Sequence, residues 1–244
     1  MYDLGIVVPA RRGSSRIAEK CALPFGGEDT LIAWKLKQLK QVIPAERIYL
    51  SSEDDGFLEI ARGLDVSRHK RPVHLATDHI APFRDVITGI VQDIPHAHVA
   101  WCTVVCPLMS PRDYCGAFHA YAREVIDGEY DSLVGVTPAK EYLWSAEAPL
   151  NYEASRNHTI SQELPDWYRV SNSIYMCRKD LILQREYFLG ERPFLEQLPK
   201  LSAIDIDVIE DYHIAAALHA VYAANGLERL PRQDRIDWSL ARAA

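Results

Sequence analysis

A loop rich in basic residues follows a short apolar run near the amino terminus. It reads Arg11-Arg12-Gly13-Ser14-Ser15-Arg16, and Lys20 comes four residues later. Guanidinium and ammonium groups pair with phosphate oxygens, and a glycine with two serines lets backbone N–H groups approach an anion. The composition and the position after a strand suit a triphosphate, although a solvated basic loop has the same composition. The loop matches neither the GxxxxGK[ST] pattern nor the dinucleotide pattern GxGxxG.

Two aspartates alternate with isoleucines near the other end of the chain, in the segment Ile204-Asp205-Ile206-Asp207. If this segment is a strand, Asp205 and Asp207 share one face, because side chains alternate along a strand. Adjacent carboxylates repel each other unless a cation lies between them, and Mg²⁺ is typically held by one or two carboxylates plus substrate phosphates. Alternatively, one aspartate faces solvent and the other caps the following helix. Both roles fit the spacing.

Other polar residues at predicted strand ends are weaker candidates. Asn172 precedes a predicted strand, where an asparagine is often a turn residue. Asp78 closes the segment Leu75-Ala76-Thr77-Asp78, which would serve equally as a loop and a helix cap. The histidines form no HExxH motif, and Cys102 and Cys106 lack a second pair at zinc spacing. These patterns argue against a zinc site.

The elements that must position these residues follow an alternating order. Residues 4–9 are a continuous apolar run, typical of a strand buried on both faces, and further strands are predicted at 47–51, 97–105, 132–136, 173–177 and 203–208. Helices are predicted from Thr30 to about Val42 and at residues 56–63, 86–91, 114–126 and 209–224, the last ending at Asn225-Gly226. This order predicts an α/β fold with a mostly parallel sheet flanked by helices, in which ligands bind at the carboxyl ends of the strands.

The segment from Thr137 to Arg169 interrupts that order. It contains Pro138, Pro149 and Pro165 and many aromatic residues without a clear period. Because aromatic residues are enriched at protein interfaces, we expect an irregular extension that packs against a second subunit; a lid over the sheet is the alternative. The sequence shows no internal repeat or linker, so we expect one domain over residues 1–244.

Composition and charge exclude several classes of protein. The chain has 244 residues, 48% of them hydrophobic, and a net charge of −7, which argues against nucleic acid or an acidic membrane as partner. Apolar runs fall short of the roughly 18 residues that span a bilayer. The five cysteines show no paired spacing and the amino terminus lacks a signal-peptide pattern. We therefore expect a cytoplasmic protein without a disulfide framework.

Taken in order, these segments resemble the acylneuraminate cytidylyltransferase family, the CMP-sialic acid synthetases, which are related to the CMP-Kdo synthetases. The loop from Pro9 to Lys20 is similar to the family's A-R-x-G-S-K-R-I-P-x-K-N. Four further segments match in the same order. Leu50-Ser51-Ser52-Glu53-Asp54 resembles V-S-T-D, Leu75-Ala76-Thr77-Asp78 resembles L-A-x-D, Asn172-Ser173-Ile174-Tyr175 resembles N-G-A-I-Y, and Ile204-Asp205-Ile206-Asp207 resembles I-D-I-D. The resemblance covers about residues 4–220.

The resemblance implies a Rossmann-like nucleotidyltransferase fold and a homodimer in which the extension crosses to the partner. It implies an enzyme that joins CMP from CTP to an acidic 2-keto sugar and releases pyrophosphate. Mg²⁺, or Mn²⁺, would be held by Asp205 and Asp207, and the catalytic residues would be Arg11, Lys20 and Asp207. The nucleotide would be bound by Ala10, Arg11, Gly13, Ser14, Ser15, Arg16, Lys20, Asp78 and Thr103. The sugar would be bound by Lys140, Gln162, Arg169 and Asn172.

The chain departs from the family pattern at several positions. Ser15 replaces a lysine of the family pattern, Cys21 replaces an asparagine and Thr103 replaces a glutamine. Arginines of the pattern are replaced by Met109 and Ser161. The triphosphate and metal segments are kept, whereas those that read the base and the sugar differ. We therefore expect an acceptor with a carboxylate, but a modified relative of N-acetylneuraminic acid rather than that sugar itself. The alternatives are a cytidylyltransferase for Kdo or a phosphonate, and a non-catalytic nucleotide-binding homologue; the missing GxGxxG disfavours an NAD(P)-linked oxidoreductase.

Overall fold

The computed structural model describes residues 2–76 and 81–238, in which seven strands form one sheet with helices on both faces. The strands are β1 (Leu4–Pro9), β2 (Ile48–Ser52), β3 (Ser67–Lys70), β4 (His98–Cys102), β5 (Ser132–Pro138), β6 (Tyr168–Arg178) and β7 (Pro193–Gln197). The helices are α1 (Leu31–Leu39), α2 (Asp55–Gly63), α3 (Phe83–Val91), α4 (Pro111–Tyr121), α5 (Lys179–Arg185) and α6 (Ile209–Ala224). A π-helical turn, Ala122–Ile126, continues α4.

The sheet has the order β3-β2-β1-β4-β6-β5-β7. Strands β1, β2, β3 and β4 pair in parallel, as do β5 and β7, while β6 is antiparallel to both of its neighbours. The predicted α/β fold with a mostly parallel sheet is therefore confirmed. The chain order reverses direction between β1 and β4, and open α/β sheets bind ligands beyond the carboxyl ends of strands at such a point.

Strand β1 is buried on both faces, as its apolar run predicts. Leu4, Ile6 and Val8 belong to a core that includes residues of α1, α4 and α6. Val7 points the other way, into a second core built from residues of α3 and α5. The two cores fix β1 at the centre of the molecule, and with it the position of the basic loop that follows.

Polar side chains begin the helices that follow the strands and loops near this edge of the sheet. Thr30 accepts a hydrogen bond from the Ala33 amide (3.0 Å), which confirms the predicted start of α1. Asp54 accepts from the Phe57 amide (2.9 Å) at the start of α2. Ser110 and Asp113 form a reciprocal capping box, with Pro111 in the first turn of α4. Each cap satisfies backbone N–H groups that have no partner within the helix.

The strand predicted at residues 203–208 is wrong. The Ile206 amide donates to the Val105 carbonyl (2.9 Å), but β4 ends at Cys102 rather than at Val105. Val105 thus lies in a loop, so residues 203–208 have no neighbouring strand at this point with which to form a regular series of backbone hydrogen bonds. Ile206 is nevertheless fully buried between the more exposed Asp205 and Asp207, so the two carboxylates remain on one side.

Three further elements were not predicted from the sequence. Edge strand β3 consists of Ser-Arg-His-Lys, which has no apolar alternation. Helix α5 is seven residues long, and β7 is a second edge strand that begins at a proline. Short elements of this kind carry too few apolar residues for a periodic signal.

Residues 139–167, between β5 and β6, form the irregular extension predicted at about 137–169; the ends of that range belong to the two strands. Its base is closed by the Ala139 amide, which donates to the Trp167 carbonyl (2.8 Å), and the Leu150 amide donates to Leu143 (2.8 Å). Several large apolar side chains remain exposed, including Trp144 at 58%, Leu150 at 57% and Ile160 at 52%. The extension thus presents an apolar surface that the described part of the chain leaves exposed.

All five cysteines are buried with free thiols, as the lack of paired spacing predicted. Within the described ranges, the helices are too short or too polar to cross a membrane.

Candidate active site

A cavity of about 620 Å³ opens beyond the carboxyl ends of β1 and β4. It gathers residues from the basic loop, the loop after β4, strand β6 and the segment before α6. The residues singled out from the sequence that line it are Arg11, Ser14, Ser15, Arg16, Lys20, Thr103, Asn172, Asp205 and Asp207. The fold therefore brings together the two segments with the strongest chemical signal, although nearly the whole chain separates them.

Lys20 joins the basic loop to the aspartate segment. Its side chain is buried, with only 8% of the residue exposed, and its Nζ donates to the Ile206 carbonyl (2.6 Å). The same ammonium group lies 4.0 Å from Oδ1 of Asp207. Lys20 is thus held at the floor of the cavity and is not a freely solvated loop charge.

Asp207 is flanked by two cations. A guanidinium nitrogen of Arg16 lies 2.6 Å from Oδ1 of Asp207, and both side chains are about half exposed. Pairs of this exposure contribute little to folding, because water screens them and both side chains lose freedom. The contact shows that Arg16 reaches the same carboxylate as Lys20, so a phosphate placed there would meet both.

Asp205 is more enclosed than Asp207. Its Oδ2 accepts a hydrogen bond from Nδ2 of Asn172 (2.6 Å). Its Oδ1 is buried and has no hydrogen-bond partner among the described residues. Burial raises the pKa of Asp205 and nearby Asp207 adds to the effect, against the hydrogen bond from Asn172 and the positive charge of Lys20.

A buried carboxylate oxygen without a donor is costly unless a cation or another donor meets it, so the pair fits a divalent metal. The residues that the structure describes contain no cluster of three or more His, Cys, Asp or Glu suited to a metal. Mg²⁺ commonly takes only one or two carboxylates and completes its shell with water and substrate phosphates.

Asn172 is fixed by its neighbours. The hydroxyl of Tyr175 donates to Oδ1 of Asn172 (2.8 Å), and the hydroxyl of Thr103 donates to its carbonyl (2.7 Å). Asn172 lies within β6 rather than before a strand. Because β6 runs antiparallel to β4, this residue falls beside the end of β4 and turns its amide toward Asp205.

Arg71 is a cavity residue to which the sequence assigned no role. It is 4% exposed, and it donates to the Ala10 carbonyl (2.9 Å) and lies 3.4 Å from a carboxylate oxygen of Glu53. Its Nε is buried without a partner among the described residues. Burial lowers the pKa of Arg71, and Glu53 opposes that effect. Its only sequence signal is its place just before the segment Leu75-Ala76-Thr77-Asp78.

The cavity also has an aromatic wall, formed by Trp101, Tyr175, Phe188 and Phe83. The Phe188 ring lies 4.1 Å from that of Tyr175, 6.0 Å from that of Trp101 and 5.6 Å from that of Phe83, centroid to centroid. Apolar walls with a few placed polar groups are usual in small-molecule sites. Sequence reasoning missed this wall, because Trp101 sits inside an apolar strand and Phe188 outside every segment that carried a signal.

Several predicted residues do not line the cavity of this chain. Lys140 pairs with Asp166 (2.7 Å), and Gln162 and Arg169 are exposed on the extension and at the start of β6. The buried Ala10 uses its backbone within the fold, where its amide donates to Ser51 (3.0 Å). Gly13 is exposed, and a Cβ there would meet nothing within 4 Å. Asp78 lies outside the described residues, and the roles assigned to all six residues stay predictions.

Among the described residues, the lining of the cavity is cationic on balance. It contains four cationic side chains, Arg11, Arg16, Lys20 and Arg71, and two carboxylates, Asp205 and Asp207. This excess suits a polyanionic ligand such as a triphosphate, while the two carboxylates suit the metal that accompanies it.

Comparisons with known proteins bear on the family and the fold. The cytidylyltransferase family model matches residues 5–225. The chain is 24% identical over 230 residues to "Post-translational flagellin modification protein B" of Campylobacter coli, covering 89% of this chain and 95% of that protein. It is 22% identical over 222 residues to pseudaminic acid cytidylyltransferase of Campylobacter jejuni, covering 88% and 95%. Its fold is similar to that of CMP:2-keto-3-deoxy-manno-octonic acid synthetase complexed with CTP, with a TM-score of 0.62 at 16% identity over 90% of this chain and 99% of that one.

Proposed function

We propose that this chain, which belongs to the cytidylyltransferase family, transfers CMP from CTP to an acidic 2-keto sugar of the nonulosonic acid type and releases pyrophosphate. Membership of that family makes the chain a nucleotidyltransferase. The proposal of CMP transfer rests on one observation. Two cationic side chains and two carboxylates meet in one cavity, beside the point where the strand order reverses between β1 and β4; they are Lys20, Arg16, Asp205 and Asp207. Such a site can hold a triphosphate and the metal that serves it.

The basic loop would bind the triphosphate. Arg11 and Lys20 are proposed to neutralise the β- and γ-phosphates, with Ser14, Ser15 and Arg16 shaping the loop around them. Arg71 adds a buried guanidinium group to the cavity lining, and its Nε has no hydrogen-bond partner among the described residues. A free donor of this kind is costly in the protein alone and gains a partner when a nucleotide binds.

Asp205 and Asp207 would hold Mg²⁺ or Mn²⁺. When bound, the ion would supply Lewis-acid stabilisation of the α-phosphate and lower the pKa of the attacking hydroxyl. The contribution of the chain is to keep one carboxylate oxygen of Asp205 free for it, because the hydrogen bond from Asn172 occupies the other.

In the proposed reaction, the anomeric hydroxyl of the sugar attacks the α-phosphorus of CTP. A new P–O bond forms, the bond from the α-phosphorus to the bridging oxygen breaks, and pyrophosphate leaves with that oxygen. The hydroxyl proton passes to solvent. Catalysis then consists of positioning the two substrates and neutralising the charge on the phosphoryl oxygens and the leaving group, which Arg11 and Lys20 would do.

The aromatic wall bears on the acceptor. A nonulosonic acid with acyl or methyl substituents offers apolar groups that Trp101, Tyr175 and Phe188 can cover. One relative is named for pseudaminic acid, which is in line with a modified sugar rather than plain N-acetylneuraminic acid. We propose that the carboxylate of the sugar is met by Arg169 or Lys140, because arginine can bind a carboxylate through two hydrogen bonds.

Those residues do not line the cavity of their own chain, and we therefore propose that they serve the cavity of a second subunit. In this proposal the chain is a single nucleotidyltransferase domain whose extension crosses a two-fold axis. The exposed apolar side chains of the extension, such as Trp144 and Leu150, would be covered there.

The proposed dimer can be tested by the mass of the protein in solution. Light scattering at micromolar concentration should give twice the mass of the chain, and Leu150→Asp should shift the protein toward monomer, because a charge in an apolar interface is poorly solvated. Val221→Asp on α6 is a matched control, since Val221 is similarly exposed, at 49% against 57% for Leu150. A monomeric wild-type protein would contradict the dimer and the role given to the extension.

The function is tested by pyrophosphate release from four nucleotides against a panel of acidic sugars and phosphonates. We expect CTP to be preferred, a modified nonulosonic acid to be the best acceptor, and plain N-acetylneuraminic acid to be poor. Turnover should vanish with EDTA and return with Mg²⁺ or Mn²⁺. Efficient use of N-acetylneuraminic acid would contradict the modified-sugar part, and an acceptor without a carboxylate would contradict the proposed class of acceptor.

A further inference from the structure

Helix α1 carries a fully buried lysine that the proposed reaction does not use. The Nζ of Lys35 donates to the Cys106 carbonyl (2.7 Å) and to the Tyr114 hydroxyl (2.7 Å), and it lies 5.0 Å from the centre of the Tyr114 ring. The negative charge of Asp113 acts on Lys35 electrostatically, but the Asp113 carboxylate accepts its hydrogen bonds from the hydroxyls of Ser110 and Ser202. Burial lowers the pKa of Lys35 to about 8. A buried ammonium group is costly, so its hydrogen bonds must matter to the fold or to the reaction.

Lys35 is one of three side chains through which α1 holds the loop after β4. Nε1 of Trp34 donates to the Pro107 carbonyl (2.7 Å), and Nε2 of Gln38 donates to the same oxygen (2.9 Å). Lys35 holds the preceding carbonyl, that of Cys106. Its hydrogen bond is charge-assisted, which makes it the strongest type among the three.

The loop held in this way supports the aspartate pair. The Val105 carbonyl accepts from the amide of Ile206, the residue between the two carboxylates (2.9 Å). Two residues earlier, Thr103 donates to the Asn172 carbonyl (2.7 Å), and Asn172 in turn donates to Asp205 (2.6 Å). Both carboxylates therefore take their position from the loop at residues 103–107.

We propose that Lys35 is a positioning residue for the transfer reaction: it fixes the loop at residues 103–107 and, through Val105 and Ile206, the separation and direction of Asp205 and Asp207. The inference rests on the proposed function in giving that pair the metal. Lys35 lies more than 70 positions from the residues to which it donates hydrogen bonds, and it is not among the described residues that line the cavity, so its role is one of packing.

The test is Lys35→Met, which keeps an unbranched side chain, one atom shorter, and removes its donors. We expect kcat to fall about 10-fold to 10²-fold, because small misplacements of reacting groups have effects of that size. The KM for CTP should change less than kcat, since no residue of the basic loop is replaced and only Lys20 is hydrogen-bonded to Ile206. Hydrogen exchange at residues 204–207 should become faster, because the Ile206 amide loses a fixed acceptor.

Two control variants separate positioning from stability. Tyr114→Phe removes the other partner of the ammonium group and should lower stability while leaving kcat near the wild-type value, since the bond to Cys106 remains. Lys37→Met lies on the same helix but is exposed and paired with Glu28 (2.6 Å), and it should change neither quantity. All variants are assayed at temperatures where circular dichroism shows them folded.

A folded Lys35→Met protein with wild-type kcat and wild-type exchange at residues 204–207 would overturn the inference and leave Lys35 a core residue. If Lys35→Met does not fold, Lys35→Gln takes its place with the same expected losses and the same criterion, because glutamine is one atom shorter and cannot make both hydrogen bonds. A wild-type protein without CTP-dependent turnover would instead overturn the proposed function, and the exchange measurement would still report whether Lys35 holds the loop.

Discussion

Replacing Asp207 by asparagine should lower kcat for pyrophosphate release by about 10² or more, because it removes a charged metal ligand that stabilises the transition state. Asp207 is suited to that role by position. It lines the cavity, is half exposed, and has Arg16 at 2.6 Å and Lys20 at 4.0 Å from its Oδ1. Stability should change little, since both ion pairs are at least partly screened by water.

Glu210→Gln is the matched control for Asp207→Asn. It removes one carboxylate charge three positions away, on an exposed side chain at the start of α6 that does not line the cavity. It should leave kcat and the dependence on Mg²⁺ unchanged. Binding of Mn²⁺ at saturating CTP, followed by electron paramagnetic resonance, should weaken in Asp207→Asn alone. Full activity in Asp207→Asn would remove the metal assignment from this residue.

The second large effect is expected at Lys20. Lys20→Met should lower kcat/KM for CTP by about 10² to 10³, the range found when one preorganised donor is removed from a charged transition state. It should also lower the free energy of unfolding, by about 1–3 kcal/mol, because the buried Ile206 carbonyl loses the donor at 2.6 Å. Steady-state kinetics and urea denaturation measure the two losses separately.

Lys37→Met provides the comparison for Lys20→Met, since Lys37 is about half exposed and remote from the cavity lining. It should show neither loss. A Lys20→Met protein that is less stable but keeps the wild-type kcat/KM would show that Lys20 supports the fold and takes no part in nucleotide binding.

The sequence predicted well where a pattern was long or locally determined. Strand β1 was predicted with the bounds that the structure has, because an uninterrupted apolar run is what a strand between two cores requires. The start of α1 followed from Thr30, whose side chain makes the capping bond locally. The basic loop was found because charge is unusual at the end of a buried strand, and the aspartate pair because its carboxylates alternate with isoleucines. The order of the segments added the resemblance to a family.

Other parts of the site depend on contacts that no local pattern records. Asp205 and Asp207 share one side without a strand, because a single hydrogen bond from Ile206 to Val105 buries the isoleucine between them. Arg71, Trp101 and Phe188 meet in the cavity only after β1, β4 and β6 lie side by side. Lys35 is one of two lysines in α1, and no local pattern distinguishes it from the exposed Lys37; it is buried where α1 packs against the loop after β4.

The proposed product is a sugar joined to CMP, and ³¹P nuclear magnetic resonance of one reaction mixture tests most directly whether it forms. With CTP, Mg²⁺ and a modified nonulosonic acid, two resonances should replace the three resonances of CTP. One is the phosphodiester resonance of the CMP-sugar and the other is that of pyrophosphate, and the two products should form in equal molar amounts. The signals should not change when the sugar is left out. Conversion of CTP to free CMP and pyrophosphate without a phosphodiester resonance would show hydrolysis, and would contradict the transfer of CMP to a sugar.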